Sequence, residues 1–170
     1  MKLHLGLCAA LAALPLSACV SMSRSEAVAP LAADMARSSR VTEIRVNRSS
    51  ELKVTPQFDE IFTAHVKAKL DACATGSRAL RLEADLERFD KANPVVTAVV
   101  AGSNVLRSTA RLVDIATGQV VAEYKVGKTV VGGRFAVVVM GEAEEQLSDA
   151  FGDELCAQAF TPAAVATATN

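Results

Sequence analysis

From residue 41 onward the apolar and polar positions follow two periods. Val41-Thr42-Glu43-Ile44-Arg45-Val46 sets β-branched residues at 44 and 46 against charged neighbours, the period of two expected of a half-buried strand. Thr55-Pro56 then offers a capping residue followed by proline at the first helical position, where its missing N–H costs nothing. Phe58, Ile61, Phe62, Val66, Leu70 and Cys73 fall on one stripe of the helix that follows, and Gly76 ends it. Leu80, Leu82, Ala84 and Leu86 alternate with Arg81, Glu83, Asp85 and Glu87, which predicts a strand with one apolar and one charged face. Residues 104–115 and 120–131 are both strand-like, and the Ile115-Ala116-Thr117-Gly118 loop between them predicts a β-hairpin. Finally Ala143, Leu147, Phe151 and Leu155 recur at helical spacing within 142–160. The order is strand, helix, strand, strand, strand, helix. Helices that each bury one stripe against a sheet with one charged face make a two-layer α+β sandwich, with a small mixed sheet of about four strands and two main helices on one face.

The amino terminus follows neither period. Leu5 to Leu16 is a small or apolar run broken only by Pro15, behind a weakly positive Met1-Lys2-Leu3-His4. A run of that length is too short for a membrane span, which needs about 20 residues, and matches the apolar region of a secretory signal. It closes on Leu16-Ser17-Ala18-Cys19, which resembles the lipobox of bacterial lipoproteins. That resemblance implies a signal over residues 1–18, cleavage before Cys19, and acylation of its thiol and new amino terminus. Val20 stands where an Asp would retain such a protein in the inner membrane, so the resemblance further implies an outer-membrane lipoprotein facing the periplasm. Residues 19–40, rich in Ala and Ser with Pro30, read as the lipid anchor and a tether, with a short helix around Leu31 to Met35. Residues 41–160 read as the α+β domain and 161–170 as a disordered tail.

The element order, the anchor and the Val113-Asp114-Ile115-Ala116-Thr117-Gly118-Gln119-Val120-Val121 hairpin are similar to small bacterial outer-membrane lipoproteins of families without an assigned function. Those families are related in fold to the amino-terminal domain of TolB and to the curli-secretion lipoprotein.

Composition narrows the function. With 18 Lys+Arg against 19 Asp+Glu and 4% aromatic residues, the chain lacks the basic excess and the stacking rings of a nucleic-acid binder. His65 is the only histidine beyond the signal, and no Cys-x-x-Cys, His-x-x-x-His or glycine-flanked serine motif accompanies it. No catalytic, metal or cofactor-binding residue is therefore predicted, and the chain is expected not to be an enzyme. The row Glu83, Asp85, Glu87 could in principle bind a cation, but with Arg81 extending it a solvated outer face is the simpler reading. Gly127, Gly132 and Gly133 lack the Gly-Lys-Ser/Thr of a phosphate loop.

Cys73 and Cys156 each lie near the carboxyl end of a predicted helix. In an oxidising compartment, two helices packed side by side and parallel would bring them together as a disulfide. Two segments, 94–102 and 135–141, carry no charge and flank the hairpin. Burial over the sheet edge is the simpler expectation. The alternative is an exposed patch for a partner protein or self-association, built from Val95, Val96, Val99, Val100, Phe135, Val137, Val138 and Val139. The leading functional expectation is a non-catalytic envelope interaction or accessory module, held on the membrane by acyl chains. The runner-up is a binding protein for a small apolar or lipid-like ligand, with those segments as pocket walls.

Overall fold

The structure is a computed structural model, and it describes residues 20–99, 101–132 and 142–161. The signal segment, Cys19, Val100, Phe135, Val137, Val138, Val139 and residues 162–170 lie outside the described residues. Among these residues six strands form one sheet: β1 (Val20–Ser23), β2 (Glu26–Ala29), β3 (Ser39–Arg48), β4 (Arg78–Asp90), β5 (Gly102–Asp114) and β6 (Val120–Gly132). Four helices accompany them: α1 (Ala33–Ser38), α2 (Phe58–Cys73), α3 (Pro94–Val99) and α4 (Ala143–Ala159). The strand order is β1-β6-β5-β4-β3, with β2 also on β6. Among the described strands only the β3–β4 pair is parallel, joined through α2 as a βαβ crossover.

The alternation predicted for residues 80–87 is the reason the sheet has two unlike faces. Leu80, Leu82, Ala84 and Leu86 turn inward with Leu106, Ala110, Leu112, Ala122, Tyr124 and Val126 of the hairpin strands. The stripe Phe58, Phe62, Val66, Leu70 of α2 and Leu147, Phe151, Leu155 of α4 covers them. The sandwich is α+β and two-layered as expected, but its sheet has six strands rather than about four. The two additional strands come from the stretch read as a tether. Val20-Ser21-Met22-Ser23 alternates over only four exposed residues and Glu26-Ala27-Val28-Ala29 carries no strand period, so neither stands out in the pattern. What folds them is the free edge of β6, whose backbone groups pair with Val20–Ser23 and then with Glu26, Ala27 and Ala29. Tyr124 Oη fixes the next turn by accepting the Leu31 N–H at 2.8 Å, and Leu31 enters the core.

The two long helices run side by side and parallel. His65 of α2 meets Asp149 of α4 at 3.1 Å, and one turn later Lys69 meets Asp153 at 3.1 Å. Gly152 lets them close up, since a Cβ there would lie 2.7 Å from the Lys69 Cβ. The ladder ends in a disulfide between Cys73 and Cys156, with Cα atoms 5.9 Å apart. His65 thus sits at the stripe edge with a carboxylate partner.

Thr55 does not cap α2. Its N–H and hydroxyl instead donate to the Glu144 carboxylate at 2.8 and 2.5 Å, and a charged acceptor makes the stronger bond.

Candidate interaction surface

Within the uncharged segment 94–102, Pro94–Val99 form a helix of six residues. The Asn93 side-chain oxygen accepts the N–H groups of Val95 and Val96 at 3.0 and 3.3 Å, the bonding of a helix amino-terminal cap, with Pro94 at the first helical position. The root of the segment is fixed by Asn104, whose side-chain oxygen accepts the Ala92 N–H at 2.8 Å. Thr97 turns inward, fully buried, its hydroxyl donating to the Asn93 carbonyl at 2.8 Å. The helix therefore hides its hydroxyl and shows Val95 and Val96. Val95 is 76% exposed and Val96 52%. This corrects the expectation of burial for these two positions: the helix packs on β5 through Thr97, which lies against Gly102, and the side carrying Val95 and Val96 faces out. Val99 closes the helix.

The three carboxylates at 83, 85 and 87 lie on the open face of the sheet, each with a partner. Glu83 pairs with Arg81 at 3.0 Å, Asp85 accepts from Asn47 at 2.8 Å and from Arg111, and Glu87 accepts from the Thr109 hydroxyl at 2.8 Å. Across the strands the row Arg45, Glu83, Arg111, Glu123 alternates in sign. Such a row neutralises itself, which is a property of a solvated face rather than of a cation site. Among the described residues no group of three or more His, Cys, Asp or Glu is placed to hold a metal ion.

The buried carboxylates are structural. Asp114 is fully buried at the mouth of the hairpin. One of its oxygens accepts from Arg78, and the other from the Ala116 and Thr117 N–H groups at 2.8 and 3.2 Å. The Arg78 bond in particular holds its carboxyl below the usual carboxylate range. Gly118, at φ 70°, then completes the turn in a conformation that side chains disfavour. The Asp-Ile-Ala-Thr-Gly loop is thus accounted for by turn geometry.

For Glu144, burial pushes the carboxyl up, but the Lys91 ammonium and both Thr55 donors outweigh it and leave the group lowered. The same contest at Glu154, between burial on one side and Lys128, Ser23 and Gln158 on the other, ends at about 2. The Ser23 hydroxyl donates to Glu154 at 2.7 Å, so this carboxylate ties β1 to α4 as well as to β6. No motif signals either clamp, because the lysines lie 53 and 26 residues from their carboxylates in sequence, and Thr55 and Ser23 lie 89 and 131 away.

Two of the clefts are lined with charged side chains. One of about 370 Å³ is lined by Thr55, Ile61, Lys91, Glu142 and Glu144, and one of about 290 Å³ by Arg24, Glu87, Arg107 and Lys125. Neither is walled by Val95 or Val96. Among the described residues no helix is long and apolar enough to cross a membrane.

No protein-family model matches the sequence, and no curated protein matches it. Solved structures do. PelC from Paraburkholderia phytofirmans, crystallised as a dodecamer, aligns with 84% of this chain and 99% of its own at a TM-score of 0.52 and 14% identity. A Xanthomonas campestris protein of the DUF330 family covers 76% of this chain and 85% of its own, at a TM-score of 0.47 and 16% identity. The PelC match shows that the two chains share a fold over nearly all of the PelC chain.

Proposed function

We propose that this chain is a non-catalytic envelope lipoprotein, anchored through acyl chains on Cys19 at the outer membrane. Its periplasm-facing domain acts as an accessory module that associates with further copies of itself. The observation that carries the reading is α3, which turns Val95 and Val96 outward while burying Thr97. Two adjacent exposed valines held by a capped helix offer a partner an apolar contact with fixed geometry. The Leu16-Ser17-Ala18-Cys19 segment supports the anchor, and the dodecamer of PelC supports association of copies.

Native mass spectrometry of the full-length chain in detergent tests both halves. An oligomer is expected, whose mass includes acyl groups that Cys19→Ala loses. Val95→Asp combined with Val96→Asp should give a folded monomer. A monomeric wild type, or an assembly indifferent to the two aspartates, would sink the association. An unacylated chain would sink the anchor.

A further inference from the structure

The open face of the sheet differs at its two ends. Toward β3 the charges alternate in sign. Toward β1 they do not. The chain between β1 and β2 is pressed onto β6: the Arg24 N–H donates to the Gly127 carbonyl at 2.8 Å, and a Cβ at Gly127 would lie 2.5 Å from the Arg24 carbonyl oxygen. Only glycine leaves room for that crossing, and it sets Arg24 over β6. Gly127 pairs with Arg107 of β5, and Arg107 pairs with Arg88 of β4. The register therefore lines up three arginines, Arg24, Arg107 and Arg88, across the sheet.

Like charges opposite one another on neighbouring strands repel. Arg88 has Asp90 as a partner. Arg24 and Arg107 have no ion pair among the described residues, although both line two adjoining clefts, of about 290 and 190 Å³. Glu87, which also lines the larger cleft, is bonded to Thr109. Lys125 at its rim faces Glu26 in the β2–β6 ladder. The smaller cleft adds Met22 and Val105. Val20 and Met22, 56% and 51% exposed, stand opposite Val131 and Thr129 on the same face. Arg24 and Arg107 thus outnumber the one carboxylate of the cleft and enter no ion pair among the described residues, and beside exposed apolar side chains they match a molecule with an anionic head and an apolar body.

We propose that this end of the open face rests on the membrane, and that Arg24 and Arg107 hold the phosphate of an anionic phospholipid headgroup. The choice of lipid over dissolved phosphate rests on the anchoring reading above. Arg24 lies five residues beyond Cys19, so even a fully extended connection keeps it within about 17 Å of the acylated end. Guanidinium groups suit the phosphate because their planar forks donate two parallel bonds.

Native mass spectrometry of the full-length chain in nonionic detergent tests this, with phosphatidylglycerol, phosphatidylcholine and inorganic phosphate titrated separately. Phosphatidylglycerol should bind at least fivefold more tightly than phosphatidylcholine, and more than tenfold more tightly than inorganic phosphate. Arg24→Ala and Arg107→Ala should each weaken it about fivefold, the scale of one cation at an anionic surface. Arg107→Lys should weaken it less, and Arg45→Ala at the far end not at all. An unchanged thermal unfolding curve would show that each variant is folded. Equal binding of the two lipids, equal binding of inorganic phosphate, or indifference to both alanine variants would overturn the proposal. Intact mass reports acylation in the same sample. An unacylated chain that keeps the preference overturns the anchor alone, and an acylated chain without it overturns the headgroup site alone.

Discussion

The covered and open faces of the sheet carry charge under opposite rules. On the covered face carboxylates occur only at the margins of the core, and each collects several donors: Glu144 from Thr55 and Lys91, Glu154 from Lys128, Ser23 and Gln158. Desolvation makes an unpaired charge there costly, so partial pairing is not tolerated. On the open face, Glu83, Asp85 and Arg111 pair in a half-solvated grid, where each contact is worth little. The covered face therefore fixes the fold, while the open face is free to vary in charge from one end to the other. Stability measurements should separate the two faces by several kcal/mol.

The largest effect is expected at the disulfide that ends the α2–α4 ladder. It closes a loop with a sequence separation of 83, and restricting the unfolded chain to that extent is worth about 4 kcal/mol in the chain-entropy account. Urea unfolding of the Cys73→Ser, Cys156→Ser double variant should show a loss on that order. A loss below about 1 kcal/mol would mean that the helices hold each other by packing alone.

The second effect depends on pH. Glu154 falls from an ordinary 4.5 to about 2 in the folded chain, so its contribution is complete above the ordinary value and is lost as pH drops from 4.5 toward 2. Glu154→Gln keeps the shape and removes the charge. It should cost about 2 kcal/mol at neutral pH, as expected for hydrogen bonds to a charged group. It should also flatten the fall in stability between those two pH values. Because Ser23 donates to the same carboxylate, amide exchange in β1 should rise in the variant before exchange in β4 does. Equal slopes for wild type and variant would mean that Glu154 titrates normally.

What the sequence reveals follows the same division. The inward stripes of β4, α2 and α4 are periodic because a core demands it, and they are legible residue by residue. The hairpin is legible because Gly118 supplies the positive φ that its turn requires. β1 and β2 are not legible, because an edge strand of four exposed residues is held by backbone pairing that any sequence can make. The arginine row is hidden for a further reason. Counting from Leu86, alternation would put Arg88 on the inward face, but the irregularity between Leu86 and Arg88 shifts the phase. Phe89 then enters the core, and Arg88 joins Arg107 on the outside. A period read from sequence has no means of counting a bulge. Exposure of Val95 and Val96 is not legible because an uncharged run says only that burial is permitted, whereas the packing of Thr97 against Gly102 of β5 decides which side turns in.

The smallest effect is expected in the middle of the open face. Asp85 receives Arg111 and Asn47 there, with both members of the ion pair 32% exposed. Water competes for both ends of such a pair, and the side chains lose rotamer freedom to make it, so the net contribution is about 0 to 1 kcal/mol. Arg111→Ala should lower stability by no more than that in urea unfolding, and 1 M salt should abolish most of the difference, since screening acts fully on exposed charges. Glu83 and Glu123, the neighbours of Arg111 in the alternating row, would then face each other without a cation between them. A loss above about 2 kcal/mol that persists in salt would show that this grid is desolvated. The open face would then have to be covered in the assembled protein at its centre, and not only at the end next to β1.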